Sequence, residues 1–83
     1  MVAMDRKRDR VEIMAEIVDL CSEPQTKTHI MYGTNLSWKM LQQYISNMQS
    51  RGLLKIENKS TKYVTSKRGK EFLYRWRELK ALL

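Results

Sequence analysis

Residues 27–52 read KTHIMYGTNLSWKMLQQYISNMQSRG, and this stretch decides the fold. Its apolar spacing predicts a short helix over about residues 27–32 and a longer helix over about residues 37–51. Residues 33–35 form the turn between them, with Gly33 expected to end the short helix in a left-handed conformation. The stretch therefore predicts two helices joined by a tight turn.

The longer helix has two distinct faces. Its apolar residues fall on one stripe and are Leu41, Tyr44, Ile45 and Met48. Ser37 is a natural N-cap, and Gly52 is expected to be the C-terminal stop of the helix. Leu36, just before the helix, is the apolar residue expected to hold the turn against the core.

The flanking segments complete one small domain. A first helix is expected from about residue 5 or 6 to Cys21, and its apolar face comprises Ile13, Met14, Ile17, Val18 and Cys21. Residues 53–57 and 62–64 predict a hairpin, with Leu54 and Ile56 on its buried side. Thr65 is expected to cap a last helix that reaches the C-terminus. The predicted fold is mainly α with a small β-hairpin, in the order helix, helix, turn, helix, hairpin, helix, which is the order of a winged helix-turn-helix plus a C-terminal helix.

Composition limits what such a chain can be. With 83 residues, of which 42% are apolar, it forms one domain with a thin core, which dimerisation would support. The single cysteine, Cys21, excludes an intramolecular disulfide and is expected to be buried. No apolar run approaches the roughly 18 residues of a membrane span, and no secretion signal is evident, so a cytoplasmic, nucleoid-associated protein is expected. The sequence offers no catalytic constellation, cofactor loop, small-molecule domain or metal-spaced cluster, so neither an enzyme nor a cofactor is predicted.

Charge is concentrated on the central unit. Residues 24–70 carry nine Lys or Arg against one acid, Glu57, in a chain whose net charge is +7. A small unit with this charge is typical of proteins that bind a polyanion, and duplex DNA is the first candidate.

In a helix-turn-helix, the second helix enters the major groove and presents its exposed residues to base edges. The face opposite the apolar stripe of residues 37–51 holds Lys39, Gln42, Gln43 and Ser46. Glutamine can bind adenine at two atoms, lysine can reach guanine, and serine suits either base. An ordinary solvated face is the alternative, but the absence of any acid on this face favours DNA.

Further residues are candidates for contacts to the DNA backbone. Lys27 and Thr28, at the start of the short helix, are placed to meet phosphates. Lys59 and Lys62 lie at the hairpin tip, which we expect along the backbone or minor groove. Two roles are open for Trp38: it packs against the short helix, or it contacts sugar and phosphate.

The last helix carries a heptad-like seam. Its apolar residues Phe72, Trp76, Leu79 and Leu83 recur at spacings of four, three and four, and Leu73 broadens the surface. This pattern favours a homodimer through the helix. The expected organisation is a DNA-binding unit over residues 1–65 and a dimerisation helix over residues 66–83, packed as one compact body.

Four segments carry a resemblance to a known family, and they read THIMYGTNLSWK at 28–39, LQQY at 41–44, RGLL at 51–54 and YVTSKRG at 63–69. Together they resemble the small archaeal winged-helix transcriptional-regulator-like proteins, which include dimeric chromatin-associated DNA-binding proteins. The resemblance covers about residues 8–80. It implies double-stranded DNA binding as a homodimer, with recognition-helix positions at Ser37, Trp38, Lys39, Gln42 and Gln43 and wing positions at Lys59 and Lys62. The chromatin-associated members have a longer C-terminal helix than this chain.

Several functions stay open at this point. A sequence-specific regulator is favoured over an architectural nucleoid protein that binds DNA without sequence preference. A protein-interaction winged helix that docks a partner on the Trp76 face is a further alternative. RNA binding is disfavoured because the helix over residues 37–51 lacks the exposed aromatic platform that single strands favour.

Overall fold

Four helices and one antiparallel hairpin follow each other along the chain in the predicted order. The computed structural model describes residues 8–57 and 61–83, so the predicted wing residue Lys59 lies outside the described residues. The elements are α1 (Arg10–Leu20), α2 (Lys27–Thr34), α3 (Trp38–Ser50), β1 (Leu54–Ile56), β2 (Tyr63–Thr65) and α4 (Lys67–Leu82).

The start of α1 differs from the prediction. Asp9 has extended backbone angles, and its side chain accepts a hydrogen bond from the backbone N–H of Glu12 at 2.8 Å. The Glu12 carboxylate accepts in return from the backbone N–H of Asp9 at 3.0 Å, which completes a capping box. The prediction of a start at residue 5 or 6 is therefore wrong, because Asp9 ends the helix on that side.

The turn between α2 and α3 also departs from expectation. Helix α2 continues through Gly33 to Thr34, and the left-handed residue is Asn35, with φ of 58°. Gly33 serves close packing instead, since a Cβ there would lie 2.8 Å from Cδ1 of Leu20. Asparagine tolerates the left-handed region better than most residues, so the left-handed residue lies two positions later than predicted. Helix α3 ends at Ser50, so the predicted stop at Gly52 is confirmed, and Gly52 is left-handed, with φ of 75°.

The cap of α4 is Ser66 and not Thr65. The Ser66 hydroxyl accepts from the backbone N–H of Gly69 at 3.0 Å. Thr65 is buried, and its hydroxyl donates to the backbone carbonyl of Val18 at 2.7 Å. The threonine therefore ties the hairpin to α1, which leaves the next residue to cap the helix.

The hairpin pairs β1 with β2 in antiparallel register, with Leu54 opposite Thr65 and Ile56 opposite Tyr63. Leu54 is buried, but Ile56 is 51% exposed, so its predicted burial is wrong. The reason is that β1 leaves the core after Leu54. On its other side β2 bonds to the connection between α1 and α2, where Tyr63 and Gln25 exchange two backbone hydrogen bonds of 2.7 and 2.9 Å.

The core lies where the three helices α1, α2 and α3 meet under the base of the hairpin. Its most deeply buried side chains are Ile17, Val18, Cys21, Ile30, Leu41, Ile45 and Met48. Leu36 is buried beside them, as predicted. Helix α4 packs along α1, where Arg77 pairs with Asp19 at 3.1 Å and Lys80 approaches Glu12 at 3.9 Å. This arrangement leaves one long face of α3 on the surface.

Candidate nucleic-acid interface

The polar face of α3 lies on the surface, as the sequence predicts. Its exposed side chains are Lys39, Gln42, Gln43 and Ser46. The opposite face is buried through Leu41, Ile45 and Met48, so packing sets the rotation of the helix. Ser37 caps the helix, and its hydroxyl accepts from the backbone N–H of Met40 at 3.2 Å. Packing and capping together hold this face in one orientation.

Lys27 joins three elements at one edge of this face. As the first residue of α2, it sends its Nζ to Oε1 of Gln42 on α3, at 2.5 Å. The same Nζ lies 5.6 Å from the centre of the Trp38 ring and 5.9 Å from that of Tyr63 on β2. Both distances fall within cation–π range. Thr28, the next residue along α2, is exposed.

Trp38 is 47% exposed and is the first residue of α3. About half of its surface is covered within the protein, and the Lys27 ammonium lies 5.6 Å from the centre of its ring. The two sequence readings of this residue, as packing and as a surface contact, are therefore compatible.

Sequence reasoning missed part of this surface. A shallow groove of about 330 Å³ lies between the start of α1 and α3, lined by Arg10, Met40, Gln43, Tyr44 and Asn47. Oδ1 of Asn47 accepts from Nε of Arg51 at 2.9 Å. Asn47 follows Gln43 by four residues, so helical spacing could have found it. Arg10 reaches the groove through tertiary packing, which the sequence pattern does not reveal.

Cations flank the face on the hairpin side. Lys62 is exposed next to β2, and its backbone carbonyl accepts from the N–H of Glu57 at 2.9 Å. Lys55 on β1 is exposed as well. Lys67, Arg68 and Lys70 continue the positive surface onto the first turns of α4.

The predicted dimer seam of α4 divides into two parts. Phe72 and Leu73 are half-buried and pack against the core of the same chain. Trp76 is half-buried, with Nζ of Lys80 4.9 Å from its ring centre. Beyond it, Leu79 is 56% and Leu83 96% exposed. The apolar surface left open is therefore the C-terminal half of the helix.

A metal site, a membrane-spanning helix and a reactive cysteine are absent from residues 8–57 and 61–83. Over these ranges no cluster of His, Cys, Asp or Glu is suited to a metal ion, and no helix is long and apolar enough to cross a membrane. Cys21 is fully buried, and burial raises the pKa of its thiol to about 12. A thiol in this state is protonated at neutral pH and is a poor nucleophile.

Comparisons with known proteins agree with this architecture. An uncharacterized protein of Methanocaldococcus jannaschii, MJ0287, is 40% identical over 50 residues. That stretch is 59% of this chain and 52% of MJ0287, so the match spans about half the length of the relative. The crystal structure of Sso10a-2, a DNA-binding protein from Sulfolobus solfataricus, superposes with a TM-score of 0.80 at 23% identity. It covers 90% of this chain and 81% of the other, so the two share a fold.

A family model confirms the fold expected from the order of elements. The model describes a winged helix-turn-helix and matches residues 7–83, nearly the whole chain. The resemblance to small archaeal winged-helix proteins is confirmed by this match together with the superposition. The chain belongs to the winged helix-turn-helix family.

Proposed function

We propose that this protein binds double-stranded DNA as a homodimeric transcriptional regulator, with α3 in the major groove and the wing on the backbone or minor groove. The family supports this proposal, as does the shared fold with Sso10a-2, itself a DNA-binding protein. The proposal includes no catalysis, and a cytoplasmic, nucleoid-associated location follows from it.

The observation that carries the proposal is the exposed, acid-free face of α3. Helix α3 contains no Asp or Glu, so its surface does not repel phosphates. Lys39, Gln42, Gln43 and Ser46 combine donors and acceptors that match base edges in the major groove. A solvated face that merely kept the domain soluble would gain nothing from excluding acids.

Contacts to the DNA backbone would position this face. In the proposal Thr28 and the first amides of α2 meet one strand, and Lys62 meets the backbone on the wing side, together with Lys59, the wing residue predicted from the sequence. Trp38 and Ser37 would lie at the entrance to the groove. Such contacts supply affinity and register but carry no sequence information.

Residues 1–65 act in this proposal as the DNA-binding unit and residues 66–83 as the dimerisation helix. Leu79 and Leu83 leave apolar surface open at the end of α4, and a second copy would cover it. Two copies would place two recognition helices on one duplex, which is the usual arrangement for reading a two-fold symmetric site. The seam residues Phe72, Leu73 and Trp76 would contribute less, since each is already half-buried in its own chain.

Titration of duplex DNA at several salt concentrations tests the function. The protein would be titrated first into a random-sequence duplex and then into a duplex selected from a random pool. A selected site that binds on the order of 10³-fold tighter supports a sequence-specific regulator. Equal binding with a steep salt dependence identifies an architectural protein that reads the DNA backbone.

A third outcome would overturn DNA binding altogether. If neither duplex binds at moderate salt, the positive charge serves solubility, and the open surface of α4 becomes the site to pursue. A winged helix that docks a protein partner on the Trp76 face would then be the better description.

A further inference from the structure

The contact between Lys27 and Gln42 constrains what Gln42 can read. Lysine carries only hydrogen-bond donors, so the atom of the Gln42 amide that faces Nζ at 2.5 Å must be the oxygen. One lone pair of the amide oxygen is thus used within the protein, with a positive charge beside the other, and the NH₂ group is the part best placed to bind a ligand. Gln42 is exposed, so this group is open to solvent.

We propose that Lys27 is a positioning residue that commits Gln42 to guanine instead of adenine, an inference that rests on the proposed DNA binding. Adenine is read by a glutamine that accepts from N6 and donates to N7, which needs both amide atoms. Guanine presents two adjacent acceptors, O6 and N7, and needs donors only. An ammonium group beside the Gln42 oxygen repels a further donor such as N6 of adenine, while the NH₂ group can still donate to the acceptors of guanine.

The groups around Lys27 hold its ammonium beside α3, although its own helix does not. Lys27 is the first residue of α2, where the positive end of the helix dipole disfavours a cation. Its ammonium group lies within 6 Å of the rings of both Trp38 and Tyr63, which attract a cation through their faces. The Gln42 oxygen then supplies the acceptor that the rings do not. The three groups together hold the ammonium beside α3.

Two neighbours on α3 show what the contact changes. Gln43 is exposed, and within the described part of the chain its amide has no hydrogen-bond partner, so both of its atoms are available to adenine. Asn47 resembles Gln42, because its oxygen accepts from Nε of Arg51 at 2.9 Å. Adjacent amides on one helix are therefore set for different bases.

Selection from a random duplex pool with four proteins tests the inference. The wild type, Gln42→Ala, Lys27→Met and Lys27→Arg would be compared at one salt concentration. The base pair whose preference disappears in Gln42→Ala identifies the position that Gln42 reads. There we expect the wild type to favour guanine over adenine by about tenfold in Kd, the size of one good base contact.

Lys27→Met keeps an unbranched side chain against the two rings but removes the donor. We expect it to lose the guanine preference or turn it toward adenine, while Lys27→Arg, which also carries only donors, retains guanine. Lys70→Met removes one charge from an exposed position on α4 and serves as the matched control. It should lower affinity for all duplexes alike and leave the base preference unchanged.

Other results would overturn the inference. If Lys27→Met keeps the guanine preference, or if the wild type favours adenine at this position, Lys27 does not set the reading, although DNA binding stands. If the wild type binds DNA without base preference, no reading exists to be set. If it binds no duplex, the proposed function fails as well. If Lys27→Met does not fold, the wild type can be tested on a selected duplex that carries 7-deazaguanine at this position. This base lacks the N7 acceptor, so we expect weaker binding than to guanine.

Discussion

Gly69 allows α4 to begin directly against the end of α3. A Cβ at this position would lie 2.3 Å from the carbonyl oxygen of Leu53 and 2.7 Å from Cγ2 of Thr65. The same Leu53 oxygen accepts from the backbone N–H of Ser66 at 3.0 Å, so it has no freedom to move aside. One residue without a side chain therefore sets the angle between the hairpin and the last helix.

We expect Gly69→Ala to destabilise the fold by about 1–3 kcal/mol or more, the usual cost of forcing an atom into packed structure. Urea unfolding followed by circular dichroism measures the change. Gly33→Ala is the matched control, because the atom it would meet is the flexible end of Leu20 at 2.8 Å. Helix propensity favours alanine over glycine in both helices, so an equal change in both variants would show that the contact with the Leu53 backbone adds no cost of its own.

Cys21 makes the protein less stable at alkaline pH. Burial raises the pKa of its thiol from 9.0 to about 12, so the folded state disfavours the thiolate. The stability supplied by the neutral thiol is complete below the unfolded pKa and is lost as pH rises from about 9 toward 12. We expect the free energy of unfolding to fall over this range, and Cys21→Ala to show a shallower decline when both are measured by urea titration.

At the scale of the element, α3 has two tasks that its faces keep separate. Leu41, Ile45 and Met48 anchor it in the core, while Lys39 and Gln43 stand on the open side. Substitutions on the open side should therefore alter ligand binding without altering the fold. Ser37 caps the helix through its hydroxyl, and in the proposed complex it also lies at the entrance to the groove.

The double substitution Lys39→Ala with Gln43→Ala separates base reading from charge. We expect it to weaken binding to a selected site about thirtyfold or more beyond the loss on random duplex, since two base contacts of about 1–3 kcal/mol each are removed. Fluorescence anisotropy on both duplexes gives the two affinities. An equal loss on both would mean that this face contacts the backbone only.

Lys62→Ala tests the wing in the same assay. An exposed lysine that meets a phosphate contributes to every sequence alike and releases about one counterion. We expect uniform weakening across duplexes and a salt slope reduced by about one. A change in base preference would place Lys62 in the groove and not on the backbone.

At the scale of the whole molecule, α4 serves both its own chain and the proposed dimer. Its first half closes the core through Phe72 and Leu73, and its second half leaves Leu79 and Leu83 open. A chain this small buries only about 60% of its unfolded surface, so an added interface would matter for stability.

We expect Leu79→Lys with Leu83→Lys to convert a dimer to a monomer. Sedimentation equilibrium measures the mass, and the concentration dependence of the unfolding temperature should disappear with the dimer. Tyr74→Lys changes an exposed residue on the opposite side of the helix and should leave the mass unchanged. If the wild type is a monomer, the proposed dimer through Leu79 and Leu83 is wrong.

The helices and their faces could be predicted from the sequence, whereas only some of the junctions between elements could. Periodicity found all four helices, and the acid-free face of α3 followed from its spacing. The cap of α4 moved from Thr65 to Ser66 because the threonine hydroxyl bonds to Val18, a contact between residues far apart in sequence. The pairing of Lys27 with Gln42 escaped prediction for the same reason, since 15 residues separate the two.

The backbone hydrogen bonds between β2 and the connection before α2 determine how firmly the hairpin is attached to the domain. Tyr63 exchanges hydrogen bonds with Gln25, and the N–H of Thr65 donates to the carbonyl of Cys21 at 2.8 Å. Strand β2 is therefore held on one edge by β1 and on the other by the backbone at Cys21 and Gln25. We expect such a strand to stay in place until the domain unfolds. In hydrogen-exchange terms, we expect the amides of Tyr63 and Thr65 to exchange only when the whole domain unfolds, at the same rate as the core amides of α1.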